Sequence, residues 1–519
     1  MVKVNVIHRD PADFVQQKPG QLQRTFSSKN PLLHPFQRER EYTRAVVAVK
    51  LQKLFAKPLL FCVEGHRDSI KCLARSRTRV ASFWTGSCNG EVAEWNLAAP
   101  RKCVKIFAAH DGFVRGVTVA PKDRLLLSGG DDRKIKAWRQ LHASAAAASS
   151  SASSSASLSN LDVALLQRET SASCGMQQQM RVNARGLQAA AAGGAEETAD
   201  EEEELLQWQQ DDGPMPALAA ETPVQVFTAS SPVTSLDYHT TQPLFVSAGE
   251  GIDVWDQNRA SPLHSFSWDC DIVHAVRFNP AEPCLIAATG ADNSVGIYDL
   301  RGSTPIRKVL LRNRCNAVCW NPMQPSRFIA ACEDQQLYSF DMRRLSSPLL
   351  VHKDFVNAVV DVDISPTGAE FAAASFDGTL RIFGVDEGRS RDVYHTKRMQ
   401  SVLCCKYTGD SRFILTGSAD MTLRVWKSDA AASLSMRNAR ERQAVAYRKK
   451  LVETFGHLKE IKRIARHHHV PKLIHKKQEV KRISETAKKR REENLRRHRR
   501  PGAVPIVPEK KKAVYKEIE

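Results

Sequence analysis

The stretch Leu415-Thr-Gly-Ser-Ala-Asp-Met-Thr-Leu-Arg-Val-Trp426 predicts two short strands joined by a tight turn, with Asp420 six residues before Trp426. The same spacing recurs at five other places: Asn89/Trp95, Asp132/Trp138, Asp292/Tyr298, Asp334/Phe340 and Asp377/Phe383. Trp255 belongs to the same series of aromatic residues, whose successive members are 42 or 43 residues apart with one exception. Such a period is typical of a β-propeller. The sequence therefore predicts an all-β, seven-bladed propeller.

The exception is the step from Trp138 to Trp255, which is 117 residues long and indicates an insertion in blade two. Residues 141–221 are rich in Ser, Ala and Gln and contain the acidic run from Glu196 to Glu204. This composition cannot bury a core, so we expect a disordered low-complexity insertion after the third strand of the blade. An acidic docking segment is the alternative.

The propeller is expected to span residues 58–427. Residues 1–57 predict an N-terminal arm with a short helix that ends before Pro58. Residues 59–63 predict a strand that completes the last blade, because closing the ring removes the free sheet edges.

Three blades carry side chains that can form a buried polar network of a Trp indole, a strand hydroxyl, a His and a turn acid. They are Trp95, Thr85 and His66 in blade one, Trp138, Ser128, His110 and Asp132 in blade two, and Trp426, Thr416, His395 and Asp420 in blade seven. Blade one has Asn89 in place of the acid. A catalytic Ser-His-Asp triad would use the same residue types. Repetition at the blade period favours a structural role, and we expect no enzymatic activity, cofactor or small-molecule substrate.

The cysteine spacing and the apolar content exclude further classes of protein. The twelve cysteines show no C-x-x-C pair, which favours buried thiols over disulfides or zinc. The N-terminus has no apolar signal core and no apolar run reaches membrane-spanning length, so we expect an intracellular, soluble protein without a membrane partner.

Charge is concentrated in residues 428–519, which hold 27 Lys/Arg against 11 Asp/Glu and carry +16 of the net +19. Helical spacing of apolar residues predicts a basic α-helical tail whose narrow apolar stripe docks on another surface, for which the propeller rim is the candidate. The stripe consists of Tyr447, Leu451, Phe455, Leu458, Ile461 and Ile464. Few aromatics accompany the charge, so we expect phosphate contacts without sequence readout.

The candidate RNA-binding residues are Lys449, Lys450, Lys462, Arg463, Arg466, Lys476, Lys477, Lys481, Arg482, Lys488, Lys489, Arg490 and Arg491. A solvated helix face or a nuclear-localisation signal is the alternative reading of these residues. The run His467-His-His469 has no Cys or carboxylate at ligand spacing, so we predict no metal site.

Motifs at both ends of the chain resemble those of the Sof family of WD40 proteins. They are Arg9-Asp-Pro, His34-Pro-Phe, Arg40-Glu-Tyr-Thr-Arg-Ala, Glu460-Ile-Lys-Arg-Ile-Ala-Arg-His-His-His-Val-Pro-Lys472, Arg490-Arg-Glu-Glu-Asn494 and Lys516-Glu-Ile-Glu519. The resemblance implies a nucleolar factor of the small-subunit processome that associates with pre-rRNA, the U-three box C/D snoRNP and other processome proteins. It also implies a role in 18S pre-rRNA processing.

The family also resembles substrate receptors of cullin-RING ubiquitin ligases, which carry a WD-x-R box after the third strand of a blade. Tyr298-Asp-Leu-Arg301 and Phe340-Asp-Met-Arg343 match its Asp-x-Arg part, whereas Trp255-Asp-Gln-Asn258 does not. The resemblance thus names Asp299, Arg301, Asp341 and Arg343 as candidates for docking a ligase adaptor. The alternative is that these Asp residues are ordinary parts of the repeat.

Overall fold

The computed structural model describes residues 36–98, 102–139, 221–267, 272–302, 304–434, 436–500, 502–503 and 505–518. The predicted disorder of residues 141–221 lies outside these ranges except for Glu221. The chain forms two compact units, one from Met1–Ala56 with Ser433–His467 and one from Lys57–Ala432 with His468–Glu519. Residues 428–519, which the sequence predicts as one tail, are divided between the two units.

The second unit contains seven antiparallel sheets, each named here from its inner to its outer strand. Blade one has β2 (Ile70–Arg75), β3 (Ser82–Ser87), β4 (Glu91–Asn96) and β5 (Lys102–Ala108). Blade two has β6 (Val114–Val119), β7 (Leu125–Gly130), β8 (Lys134–Arg139) and β9 (Gln225–Thr228). Blade three has β10 (Ser235–Tyr238), β11 (Leu244–Ala248), β12 (Ile252–Asp256) and β13 (His264–Phe266). The predicted insertion therefore falls between the third and fourth strands of blade two.

The remaining blades follow without a comparable insertion. Blade four has β14 (Val273–Phe278), β15 (Leu285–Gly290), β16 (Ser294–Asp299) and β17 (Pro305–Leu311). Blade five has β18 (Cys315–Trp320), β19 (Arg327–Cys332), β20 (Gln336–Asp341) and β21 (Leu350–Lys353). Blade six has β22 (Val359–Ile364), β23 (Glu370–Ser375), β24 (Leu380–Gly384) and β25 (Ser390–Tyr394). Blade seven has β26 (Val402–Tyr407), β27 (Phe413–Ser418) and β28 (Thr422–Lys427).

The ring closes as the sequence predicts. Strand β1 (Leu59–Glu64) pairs antiparallel with β28 and supplies the fourth strand of blade seven. Each inner strand contacts the inner strand of the next blade, and β26 contacts β2. The seven aromatic residues of the repeat are all buried, which places them in the cores that hold neighbouring strands together. The seven-bladed fold is confirmed.

The turn between the second and third strands explains why the repeat keeps an Asp or Asn six residues before the aromatic. In six blades the side chain at this position accepts a hydrogen bond from the backbone N–H two residues later, at 2.9–3.4 Å. The residue between them has a positive φ of 59° to 88°. These residues are Gly90, Arg133, Asn293, Gln335, Gly378 and Met421. The Asp or Asn side chain therefore stabilises a turn whose next residue has a left-handed conformation and which links the two strands.

Part of the basic tail belongs to the propeller unit. Helix α4 (Lys472–His498) is followed by the short helix α5 (Glu509–Ala513) and by β29 (Val514–Ile518). Strand β29 pairs antiparallel with β17 and extends blade four to five strands. The C-terminal motif thus occupies the outer edge of that blade, which would otherwise expose unpaired backbone groups.

The first unit contains α1 (Gln37–Leu54), α2 (Ala439–Phe455) and α3 (Lys459–Arg466). Ala45 and Val49 of α1 pack with Leu451 and Ile461, and all four side chains are buried. The ring of Tyr42 meets that of Phe455 edge-on at 6.3 Å. The apolar stripe of the tail therefore docks on the N-terminal helix, and not on the propeller rim as the sequence predicted.

Candidate functional site

The polar network of blade two forms as predicted. The Trp138 indole N–H donates to Ser128 Oγ at 2.9 Å, and His110 Nε2 lies 2.8 Å from the same oxygen. Nδ1 of His110 is 2.9 Å from both carboxylate oxygens of Asp132. Ser128 is fully buried, so no substrate reaches its hydroxyl in this arrangement. The geometry fits a structural network rather than a nucleophile.

Blade one lacks the acid, and its histidine shows the consequence. Trp95 Nε1 donates to Thr85 Oγ1 at 2.7 Å, and His66 Nε2 bonds the same hydroxyl. Nδ1 of His66 is buried and has no hydrogen-bond partner among the described residues. Burial lowers the pKa of His66 to about 4, so the ring is neutral at physiological pH.

In blade seven the predicted network is wrong in two of its four members. Trp426 Nε1 donates to Thr416 Oγ1 at 2.8 Å as expected. The carboxylate of Asp420, however, accepts hydrogen bonds from the buried guanidinium of Arg424. Arg424 outcompetes a histidine because its planar cation forms charge-assisted bonds to both carboxylate oxygens.

The histidine of blade seven therefore has a different neighbour. The ring of His395 lies 5.6 Å from that of His469, at the start of the tail segment that joins the propeller unit. Burial and the nearby His469 lower the pKa of His395.

Twelve of the thirteen candidate RNA-binding cations are exposed, and all of these except Lys489 fall into two groups. The arm–tail basic surface belongs to the first unit and consists of Lys449, Lys450, Lys462, Arg463 and Arg466. Lys462, Arg463 and Arg466 point away from the buried Ile461 of α3, because successive residues of a helix are rotated by about 100°. The core with α1 therefore leaves these cations facing solvent.

The α4 basic surface belongs to the propeller unit and consists of Lys476, Lys477, Arg482, Lys488, Arg490 and Arg491. Helix α4 is attached to the segment between blades five and six by hydrogen bonds to Asp354 and Phe355, and its Ile474 is buried. Gln478 Nε2 donates to the carbonyl of Asp354 at 3.1 Å.

Two nominated residues have structural partners instead. Lys481 is the one nominated cation that is not exposed, and its ammonium donates to the carbonyl of Phe355 at 2.9 Å. Burial lowers its pKa. Lys489 forms an ion pair with Glu509 of α5 at 3.2 Å. These contacts attach α4 to the propeller unit, so neither ammonium is as available to phosphate as those of the α4 basic surface.

The Asp-x-Arg elements follow the third strands of blades four and five. Asp299 and Asp341 each accept a hydrogen bond from the backbone N–H two residues later, at 3.1 and 3.0 Å. Asp256 of blade three does the same with Asn258 at 3.1 Å, although no Arg follows it. The Asp residues therefore stabilise the turn whether or not an Arg stands two residues later.

The arginine side chains of both elements are exposed. The side chain of Arg301 is 78% exposed, and its nearest acidic partner is its own Asp299 at 3.8 Å. The backbone carbonyl of Arg343 accepts a hydrogen bond from Arg307 at 3.0 Å, and Arg307 also lies 3.7 Å from Glu517 of β29. Both arginines are accessible to a partner protein.

Other site classes find little support in the described ranges. No group of three or more His, Cys, Asp or Glu side chains there could hold a metal ion. The ten cysteines of these ranges carry free thiols. Among the described helices, none combines the length and apolar composition that crossing a membrane requires.

Comparison with known proteins first defines the class. The "WD domain, G-beta repeat" family matches residues 101–139, 345–384 and 392–427, and the "Sof1-like domain" family matches residues 428–514. The solved structure of the "WD40 beta propeller domain of Doa1" superposes with a TM-score of 0.50 over 71% of this chain and 96% of that one, at 14% identity. The molecule is a WD40 propeller with a Sof1-like tail.

Full-length relatives then give the family. "DDB1- and CUL4-associated factor 13" of Danio rerio is 38% identical over 100% of both chains, and its Homo sapiens counterpart is 38% identical over 99% of both. "Protein SOF1" of Saccharomyces cerevisiae is 35% identical over 99% of this chain and 94% of its own. The chain belongs to the Sof1 family, as its end motifs predicted.

Proposed function

We propose that this protein is a nucleolar, non-enzymatic factor of the small-subunit processome that binds pre-rRNA or its guide snoRNA and supports 18S pre-rRNA processing. The observation that carries the proposal is the match to Protein SOF1 along 99% of the chain, the basic tail included. The propeller serves as the scaffold for processome proteins, and the tail provides the RNA contacts.

The distribution of cations supports phosphate binding by the tail. The arm–tail basic surface and the α4 basic surface hold exposed Lys and Arg side chains in rows along helices. The packed side of each helix is fixed by apolar or hydrogen-bonded contacts, so the charges stand out from a rigid support. Such rows neutralise a phosphate backbone without reading its sequence.

The test is crosslinking of the full-length protein to RNA in cells. One variant replaces the five residues of the arm–tail basic surface with Ala, and a second replaces Lys476, Lys477, Arg482, Arg490 and Arg491. Substitution is preferable to truncation after Ser428, because truncation also removes β29 from blade four and the partners of α1. We expect crosslinks to 18S precursor or box C/D snoRNA to fall in both variants.

A matched control removes five exposed cations from the propeller: Arg124, Arg259, Arg389, Lys397 and Arg412. It should retain the crosslinks of the wild type. Equal loss in the control and the tail variants would show that only net charge matters. An absence of RNA crosslinks in the wild type would contradict the proposal.

A second function is favoured by a separate observation. Arg301 and Arg343 are exposed at the same turn of adjacent blades, and the vertebrate relatives are named for association with DDB1 and CUL4. We propose that this pair can dock a cullin-RING ligase adaptor, which would make the propeller a substrate receptor.

Coprecipitation with purified DDB1 tests this second function. The variant R301A/R343A should lose the adaptor while its RNA crosslinks remain. The control R259A/R389A removes two exposed arginines from blades three and six, and Arg259 lies in the turn of blade three that is equivalent to those of Arg301 and Arg343. This control should bind the adaptor like the wild type. Adaptor binding that survives R301A/R343A excludes these elements as the docking site.

A further inference from the structure

One opening of the propeller ring collects basic side chains that neither basic surface of the tail includes. Lys71, Arg115 and His274 are each the second residue of an inner strand, in blades one, two and four. Arg314 immediately precedes the inner strand of blade five. We call these four residues the channel-mouth site.

His274 is in contact with Arg314 and within electrostatic range of Arg115 and Lys71. Nη2 of Arg314 is 3.2 Å from Nδ1 of His274. Burial and the nearby charges of Arg314, Arg115 and Lys71 together lower the pKa of His274 to about 4. The imidazole is therefore neutral at physiological pH, and the positive charge of the site comes from the lysine and the two arginines.

The hydrogen-bond pattern leaves donors of this site without acceptors. The guanidinium of Arg314 can only donate, so Nδ1 of His274 accepts and the ring proton resides on Nε2. Nε2 of His274 and Nε of Arg314 are buried and have no hydrogen-bond partner among the described residues. Buried donors without acceptors are costly, and a ligand oxygen would relieve that cost.

The charges of the site are only partly balanced. Asp131 pairs with Arg115 at 2.6 and 3.0 Å. Within the described ranges, Lys71 and Arg314 have no ion pair with an acidic side chain. Asp269 and Asp271 belong to residues 268–271, outside those ranges, and the experiment includes their substitution.

Apolar side chains beside the site favour a protein ligand. Phe113 is 47% exposed, with its ring 5.7 Å from the Arg115 guanidinium, and Ile272 is 43% exposed, two residues before His274. Exposed carboxylates of Asp111, Glu250 and Glu333 lie in loops that precede inner strands or join second to third strands. They would repel a continuous phosphate backbone but leave room for one or two carboxylates of a peptide.

We propose that the channel-mouth site binds an acidic protein segment in which a carboxylate side chain stands next to an apolar one. The carboxylate meets Lys71, Arg314 and the Nε2–H of His274, and the apolar neighbour packs on Phe113 or Ile272. This interaction is separate from RNA binding by the tail, so either can fail without the other.

The test selects random displayed peptides on the full-length protein and measures their affinities by fluorescence polarisation. Selected peptides should share an Asp or Glu next to an aromatic or aliphatic residue. They should bind K71A/R314A at least about tenfold more weakly than the wild type, because two cations facing the carboxylate are lost. The control R67A/K397A removes two exposed cations from other loops that precede inner strands and should change affinity by less than about twofold.

Four outcomes would overturn the proposal. Selected peptides could lack acidic residues or bind K71A/R314A as tightly as the wild type. K71A/R314A could instead weaken the binding of a single-stranded oligouridylate, which would assign the site to RNA. Peptides could also bind only after D269N/D271N, which would show that the chain supplies its own anion.

Discussion

His66 and His110 occupy equivalent places in neighbouring blades, yet only one of them has its full set of partners. His110 Nδ1 is held by Asp132, whereas the equivalent atom of His66 is buried without a partner in the described ranges because Asn89 replaces the acid. The side-chain oxygen of Asn89 is already used by the backbone N–H of Glu91. An unpaired buried nitrogen of this kind costs on the order of 1 kcal/mol or more.

We predict that Asn89→Asp stabilises the protein. A carboxylate has a second oxygen for His66 Nδ1, as Asp132 has for His110, and the added hydrogen bond is worth about 1 kcal/mol. Urea unfolding at pH 7 should show a higher free energy of unfolding for the variant. Asp132→Asn is the opposite change in blade two and should lower it. Equal or lower stability of Asn89→Asp would mean that the carboxylate does not reach the ring.

His352 gives a pH dependence whose sign follows from its surroundings. Its Nδ1–H donates to the carbonyl of Glu387 at 2.6 Å, and Nε2 lies 2.8 Å from Ser339 Oγ. Burial lowers its pKa to about 4 against 6.5 for an unperturbed histidine. Between these two values the unfolded chain binds more protons than the folded protein, so stability falls as pH decreases.

The variant His352→Gln should therefore reduce the pH dependence of stability. Linkage with these two pKa values gives about 2 kcal/mol of the difference in unfolding free energy between pH 7 and pH 5. Urea titrations at both pH values would measure that difference in the wild type and the variant. His475→Gln changes an exposed histidine and should leave it unaltered. An unchanged difference in His352→Gln would show that the buried ring does not titrate as inferred.

At the residue level, the sequence shows the repeat more clearly than the partners of its side chains. The spacing of Asp420 and Trp426 is local, because it reflects one turn and the strand after it, and it was sufficient to predict the blades. The choice between Arg424 and His395 as partner of Asp420 depends on how blade seven packs. A one-dimensional pattern does not contain that information.

Two elements of the tail show the same limit at larger separation. The helical spacing predicts that α2 and α3 have a buried apolar stripe, but it does not predict that α1 covers this stripe. Helix α1 lies some 400 residues earlier in the chain: the hydrogen bond from Tyr42 to Glu460, for example, joins residues 418 positions apart. Likewise, β29 pairs with β17 about 200 residues away. Amphipathic patterns indicate that a surface is covered, without saying which element covers it.

Strand pairing, rather than charge, should anchor the end of the tail. Glu509 pairs with Lys353 and Lys489, and Lys512 with Glu492. These groups are substantially exposed, and exposed ion pairs contribute little to stability. Strand β29, in contrast, adds a ladder of backbone hydrogen bonds to β17, and Ala513 is buried beside it.

Removal of residues 509–519 should therefore loosen α4 while the propeller remains folded. Backbone amides in the second half of α4 should exchange with deuterium at least about tenfold faster than in the full chain. The variant Lys353→Ala breaks one ion pair only and should leave that exchange nearly unchanged. Protection of α4 that survives the truncation would indicate that the contacts of Ile474, Gln478 and Lys481 suffice to hold the helix.

For the whole molecule, the separation of charge from the propeller has a thermodynamic consequence. Residues 428–519 carry +16 of the net +19, so most of the positive field belongs to one sixth of the chain. Cations that contact phosphates release bound counterions, and the affinity for RNA then depends on salt in proportion to their number. Cations that are only hydrated on a helix face, without contacting phosphates, do not contribute to this salt dependence.

We predict a steep salt dependence of RNA binding to which the arm–tail basic surface contributes directly. Affinity for a single-stranded RNA should fall linearly on a plot of log K against log salt, with a slope of about −0.7 for each phosphate neutralised. Replacing Lys449, Lys450, Lys462, Arg463 and Arg466 with Ala should reduce the magnitude of the slope by up to about 3.5. The control that removes five exposed propeller cations should keep the wild-type slope. If both sets of substitutions shift affinity equally without changing the slope, the tail contributes only a diffuse field and makes no direct phosphate contacts.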